Sequence, residues 1–200
     1  PISDWLLQYA DGSKIEASVD IGHLKVREHE TWQMIRPVHE LEIELKQGKT
    51  AHLFELALAL QQDIPLSIEN GSKAQMGYDY LRPQPTIKTH AQAMNIKRYS
   101  KPPTTNQIMH EALTSMQDNQ EILKKINHTP AVYHMKLACS RIASALTYSG
   151  FRSTDKDTQA IIHDLEWLMQ FLISPCDDFA YQNLNAVLNG QRYQRILLSL

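Results

Sequence analysis

The sequence predicts an α+β fold: antiparallel strands of a barrel-type sheet, followed by an all-α helical bundle. Three observations carry this. Over residues 14–20 and again over residues 40–46 charged or polar side chains alternate with aliphatic ones, the period-2 signature of strands with two unlike faces. After Thr104 apolar residues recur at steps of three and four, the helical period. Between these stretches lies a proline-punctuated, basic segment with neither period. The predicted division is a strand-rich domain over 1–82, a linker over 83–103 and a helical domain over 104–200.

The first strands meet in a hairpin, Gln8 to Ile15, that turns at Asp11-Gly12, a pair suited to positive φ. A strand from Lys14 to Asp20 follows, with Glu16, Ser18 and Asp20 on one face and Ile15, Ala17 and Val19 on the other. A separate strand is predicted over His23 to Arg27. The most informative run is His39 to Lys46, His-Glu-Leu-Glu-Ile-Glu-Leu-Lys. A strand there puts Glu40, Glu42, Glu44 and Lys46 on one face and Leu41, Ile43 and Leu45 on the other. Adjacent carboxylates repel unless a cation sits over them; an octahedral Mg²⁺ or Mn²⁺ is a natural partner, and a solvated acidic surface is the plain alternative. Strands with one polar and one apolar face suit a barrel with a wet lumen. A helix from Ala51 to Ile64 is the predicted cover for the apolar side. Trp5 and Tyr78 are assigned to packing.

Pro83, Pro85, Pro102 and Pro103 mark the linker, and Lys88, Lys97, Arg98 and Lys101 make it basic: a solvated connector, or a strap near a phosphate-binding surface. Thr104 and Gln107 have capping-box spacing. Thr129-Pro130 reads as a cap followed by proline at the first helical position, with Gly150 at the helix end. Val132, Met135, Cys139, Ile142 and Leu146 form its core stripe. Ser153 or Thr154 opens the next helix, with Ile161, Leu165, Leu168 and Leu172 on one face, ending at Ser174-Pro175. A last predicted helix runs from Asp178 to Leu188, followed by Gly190. Short connections imply antiparallel neighbours. His134 and His163 are read as surface or satisfied histidines.

Composition narrows the function classes. The chain has 200 residues, 42% hydrophobic and 21% charged, as in ordinary globular proteins. A net charge of −2 leaves no footprint for general nucleic-acid binding. Cys139 and Cys176 stand in no metal or redox motif and read as unpaired thiols. No apolar run reaches the roughly 20 residues that span a membrane, and no signal peptide opens the chain, so the default expectation is cytoplasmic.

The order of motifs adds a resemblance. Ile15-Glu16-Ala17-Ser18-Val19-Asp20-Ile21-Gly22, then Glu40 to Gly48, then the Ala51 helix, then Ser72-Lys73-Ala74-Gln75-Met76-Gly77-Tyr78 resemble the second half of a CYTH domain, the triphosphate-tunnel fold. The family's motifs run Ile-Glu-x-x-x-Asp-x-Gly, Glu-Leu-Glu-Leu-Glu-Leu-Lys-x-Gly and Ser-Lys-Ala-Ala-Arg-Gly-Tyr. The likeness covers about residues 5 to 82. Met76 replaces the family's arginine, and the opening Glu-x-Glu-x-Lys strand is missing. The chain also starts without methionine, so it is expected to be an internal piece of a longer protein.

A second segment, Val132 to Leu146, is similar to the opening helix of CHAD domains, which commonly follow CYTH domains and are associated with polyphosphate. Asp164 to Leu168 resembles the next CHAD helix. The family's histidine position holds Tyr133. Lys136 and Arg141 keep basic positions, while Ser140 and Ala143 lose them.

Together the resemblances imply metal-dependent hydrolysis of inorganic triphosphate by the intact protein. They assign Glu40, Glu42 and Glu44 to Mg²⁺ or Mn²⁺, Glu16 and Asp20 to catalysis, and Lys46, Lys73, Lys14 and Arg27 to phosphate. Alternatives are a module that binds triphosphate or polyphosphate without turnover, or another CYTH activity: nucleoside or thiamine triphosphatase, or adenylate cyclase. The chain alone is expected to be weakly active or inactive and to self-associate.

Overall fold

The computed structural model describes residues 2–69, 71–81, 101–148, 155–173 and 177–200. The chain divides into two compact units, Pro1–Thr86 and Ile87–Leu200. The mixed α+β class stands: the first unit holds a three-stranded antiparallel sheet and two helices, the second five helices, among the described residues.

In the first unit β1 (Ile2–Gln8), β2 (Lys14–Glu28) and β3 (Thr31–Gln47) pair in the order β1-β2-β3. The sheet is open, with β1 and β3 as its edges, and is not a closed barrel. The first turn lies where Asp11-Gly12 predicts it. Gly12 takes φ +87°, its amide donates to the Tyr9 carbonyl, and Asp11 accepts from the Ser13 amide. The expected separate strand at His23 to Arg27 is a correction: β2 runs unbroken through Gly22, because β3 is long enough to pair with it from Lys14↔Gln47 to Glu28↔Thr31. The β2–β3 turn falls at His29-Glu30, where His29 has φ +54° without a glycine to announce it.

The two-faced pattern holds. Ile15 and Ala17 are buried, and the acids lie on the other side of the strand. α1 (Ala51–Asp63) packs on β3, and α2 (Lys73–Leu81) packs on β2. Beyond Asp20 and Glu40 that face loses its acids: Gly22 stands opposite Val38, and Leu24 opposite Arg36, whose guanidinium donates to the Met76 sulfur of α2, with Val26 beyond. α2 lies there: Gly77 approaches Val26, and the Tyr80 hydroxyl donates to Gln33. Trp5 and Tyr78 are not packing residues, being 52% and 64% exposed. Trp5 sits on the edge strand, and Tyr78 lies on α2 between Gly77 and Tyr80, which meet the sheet instead.

In the second unit α3 (Thr105–Leu123), α4 (Thr129–Tyr148), α5 (Lys156–Phe171), α6 (Asp178–Asn189) and α7 (Gln191–Ser199) pack around one core. The whole predicted α4 stripe, Val132, Met135, Cys139, Ile142 and Leu146, is buried, as are Leu165, Leu168 and Leu172. The Thr104–Gln107 capping box forms in full. Two caps shift. His128, not Thr129, receives the Ala131 amide on its carbonyl and ring nitrogen, while the Thr129 hydroxyl bonds that of Tyr181. Asp155, not Ser153 or Thr154, caps α5, accepting from the Asp157 amide and the Thr158 hydroxyl. Gly150, Ser174, Pro175 and Cys176 lie outside the described residues, as does the linker except for Lys101 to Pro103. α7 was not foreseen; it buries Tyr193, Gln194, Ile196 and Leu197. No described helix is long and apolar enough to cross a membrane.

Candidate functional site

Antiparallel register sets the site. Glu16 stands opposite Glu44, Ser18 opposite Glu42 and Asp20 opposite Glu40. Cross-strand partners in such a ladder lie about 5 Å apart at Cβ, so unneutralised carboxylates there would repel. Two lysines relieve this. Lys46 Nζ lies 2.9 Å from Glu16 and 2.8 Å from Glu44. Lys73 Nζ lies 3.0 Å from Glu40 and 2.8 Å from Glu42, and also bonds Asp20.

Lys73 arrives through local structure. Ser72 caps α2, its hydroxyl accepting from the Gln75 amide, so Lys73 is the first helical residue. A cation at a helix N-terminus opposes the macrodipole; here three carboxylates offset that. Both lysines are held firmly protonated. The Lys73 ammonium is raised above its ordinary range by its bonds to Asp20, then Glu42 and Glu40. Lys46 is raised by Glu44 and then Glu16.

Seven predicted residues therefore share one place: Glu16, Asp20, Glu40, Glu42, Glu44, Lys46 and Lys73. Lys14 lies on the same strand face, opposite Gln47 at its near end. Arg27 does not join them. It sits opposite Trp32, seven strand positions past Asp20 or roughly 23 Å away at the rise of a strand. Sequence reasoning missed Ser72 as the cap that aims Lys73, although Ser72 and Gln75 have the S-x-x-Q spacing that signals it.

The hard oxygen donors are of the kind Mg²⁺ or Mn²⁺ takes. Their placement does not fit such an ion: among the described residues, no three His, Cys, Asp or Glu side chains are set to hold a metal. Asp20, Glu40 and Glu42 do converge, but on the Lys73 ammonium. As arranged, the face is a carboxylate-rich surface neutralised in part from within. Five carboxylates against two bound ammoniums leave it attractive to cations.

In the helical unit Lys136 is exposed on α4, five residues before the half-buried Arg141. Positions five apart do not share a narrow helix face. His134 is half-buried, and its imidazole is pushed below its ordinary range by burial and by Arg141. His163 is exposed. No protein-family model, curated protein or solved structure matches this chain.

Proposed function

We propose that the Pro1–Thr86 unit is one wall of a triphosphate tunnel and that the intact protein hydrolyses inorganic triphosphate to diphosphate and phosphate. One observation carries this reading. Three motifs far apart in sequence, around Asp20, around Glu42 and at Ser72-Lys73, meet at a single ammonium. A solvated amphipathic strand needs no such convergence from 31 and 53 residues away.

The chemistry follows from charge. Triphosphate carries about four negative charges near neutrality, and phosphoryl transfer depends on positioning and electrostatic stabilisation. In this reading Lys73 and Lys46 exchange carboxylate partners for phosphate oxygens, with Lys14 behind them. Glu16, freed by Lys46, stands where it can orient a water. The Mg²⁺ or Mn²⁺ implied by the family resemblance would need donors beyond those the described residues leave free. The helical unit is a CHAD-like appendage that contributes little to the chemistry.

Phosphate release from inorganic triphosphate by the intact protein, with and without Mg²⁺ or Mn²⁺, is the test. Glu42→Gln and Glu44→Gln each remove, at nearly constant volume, a carboxylate that positions Lys73 or Lys46. Each should lower turnover at least ~100-fold, a barrier change of about 2.7 kcal/mol, with the circular dichroism unchanged. Wild-type rates in both variants would refute the assignment. A second reading, binding without turnover, is favoured by the poor fit to a divalent ion. Calorimetric binding of triphosphate without phosphate release would select it.

A further inference from the structure

At the end of the sheet opposite α2 lies a second cluster of charged groups, outside the site described above. His52, in the first turn of α1, stacks on Tyr9 with ring centroids 4.1 Å apart and planes 17° from parallel. Its Nε2 lies 3.0 Å from the Asp11 carboxylate and its Nδ1 lies 2.7 Å from the Glu55 carboxylate. A carboxylate only accepts hydrogen bonds, and a neutral imidazole carries one N–H. Only the imidazolium donates at both nitrogens, so the geometry itself specifies the charged form.

The position matters for α1. Thr50 stands at its N-cap without a side-chain cap bond, and no acidic residue occupies the first turn. The helix start is tied down instead by His52, which joins the hairpin turn at Asp11 to the second turn of the helix at Glu55. We propose that His52 is a pH-sensitive clasp that fastens α1 to the β1–β2 turn.

The groups facing it are Tyr9 and Asp11 from the hairpin, Glu55 from α1 and Lys49 from the β3–α1 connection, which reaches the same Asp11 Oδ2 at 3.0 Å. Loss of one proton turns one ring nitrogen's lone pair toward a carboxylate. One of the two bonds must then open. Lys49 keeps its hold on Asp11 in that state, so the turn stays neutralised while the helix start is released. The direction of titration agrees: His52 is held above its ordinary range by Asp11 and then Glu55, and Asp11 is held below its own, first by His52. The clasp is therefore closed below the ordinary histidine value of 6.5 and is lost as pH rises through the elevated folded-state value. At its acid limit it is lost as Asp11 protonates, below the ordinary carboxylate range.

The full 200-residue chain can be followed by NMR across pH, with the His52 Cε1–H signal assigned by its absence in His52→Gln. The His52 midpoint should lie above ~6.5. Amide protection over residues 53 to 58, corrected for intrinsic exchange, should fall at least ~threefold across that midpoint, since helix ends open in low-cost local steps. Asp11→Asn and Glu55→Gln should each lower the midpoint, and the double variant should abolish the protection change. A wild-type midpoint at or below ~6.5 would overturn the proposal. So would protection that stays constant through the titration.

Discussion

Lys73 and Cys139 illustrate two opposite fates of a reactive side chain. Lys73 is a third exposed and is surrounded by carboxylates, so its charge is stabilised. Cys139 has no exposed surface, and burial pushes its thiol up to about 12. The thiolate is the nucleophile, so Cys139 should be inert to a thiol reagent such as DTNB in the native chain and react only on unfolding. Fast native labelling at Cys139, located by peptide mapping, would contradict its burial. Its fate was legible in the sequence, because it stands in a three-and-four stripe with Val132, Met135, Ile142 and Leu146. The two faces of β2 and β3 were legible for the same reason, since periodicity states which way a side chain points. It does not state what meets it there. Lys73 was nameable only by motif resemblance, because nothing local to Ser72-Lys73 indicates Asp20 or Glu42 as partners. Trp5 was misjudged because a large aromatic suggests a core, whereas its strand lies at the sheet edge.

Elements were read best where they have a chemical boundary. The Thr104–Gln107 box gave the start of α3, and Asp11-Gly12 gave the first hairpin. The β2–β3 turn was missed because His29 adopts a positive φ that the sequence marks with no glycine. The second unit was read one helix short because Gly190 has φ −75° and serves two helices at once, ending α6 and opening α7. Gly48 shows how a motif glycine can be structural rather than functional. It has φ +101°, and a Cβ placed on it would lie 2.2–2.7 Å from Ser13 atoms, its Cα among them. Ser13 is itself buried, and its hydroxyl accepts from the Lys49 amide. Gly48→Ala thus combines backbone strain with a collision that no rotamer relieves. A loss of about 1–3 kcal/mol from the strain alone is expected, with the collision adding to it. Urea unfolding of the pair would measure it, and an unchanged midpoint would mean that the β3–α1 turn shifts freely. Thr104→Ala should cost about 1 kcal/mol through the lost α3 cap, read by the same method in the helical unit.

At the scale of the whole molecule, the first unit is an open sheet whose edge strands, β1 and β3, each pair only with β2 among the described residues. An edge strand offers a row of backbone donors and acceptors to any second strand, and natural proteins blunt such edges with charge, proline or a bulge. β3 has all three devices: charges at Arg36, Glu40, Glu42, Glu44 and Lys46, a proline at Pro37, and register shifts opposite Lys14/Ile15 and Leu24/Lys25. β1 carries one charged side chain, Asp4, and presents Trp5 and Leu6 at 52% and 63% exposure. β1 is therefore the edge at which association is expected. Two chains pairing along β1 would extend the sheet while leaving the Lys73 cluster, on β2 and β3, uncovered by that pairing. Light scattering of the 200-residue chain should show mass rising with concentration. Leu6→Lys should return it toward the monomer, because it places a cation on the edge, on the same sheet face as Glu16. A lysine replacing an exposed leucine leaves the buried Ile15 and Ala17 untouched, so the fold should survive and keep its circular dichroism. The matching change at the other edge, Met34→Lys, should leave the mass unaltered. A wild-type chain that stays monomeric at high concentration, or equal effects of the two lysines, would show that β1 is not the surface through which these molecules meet.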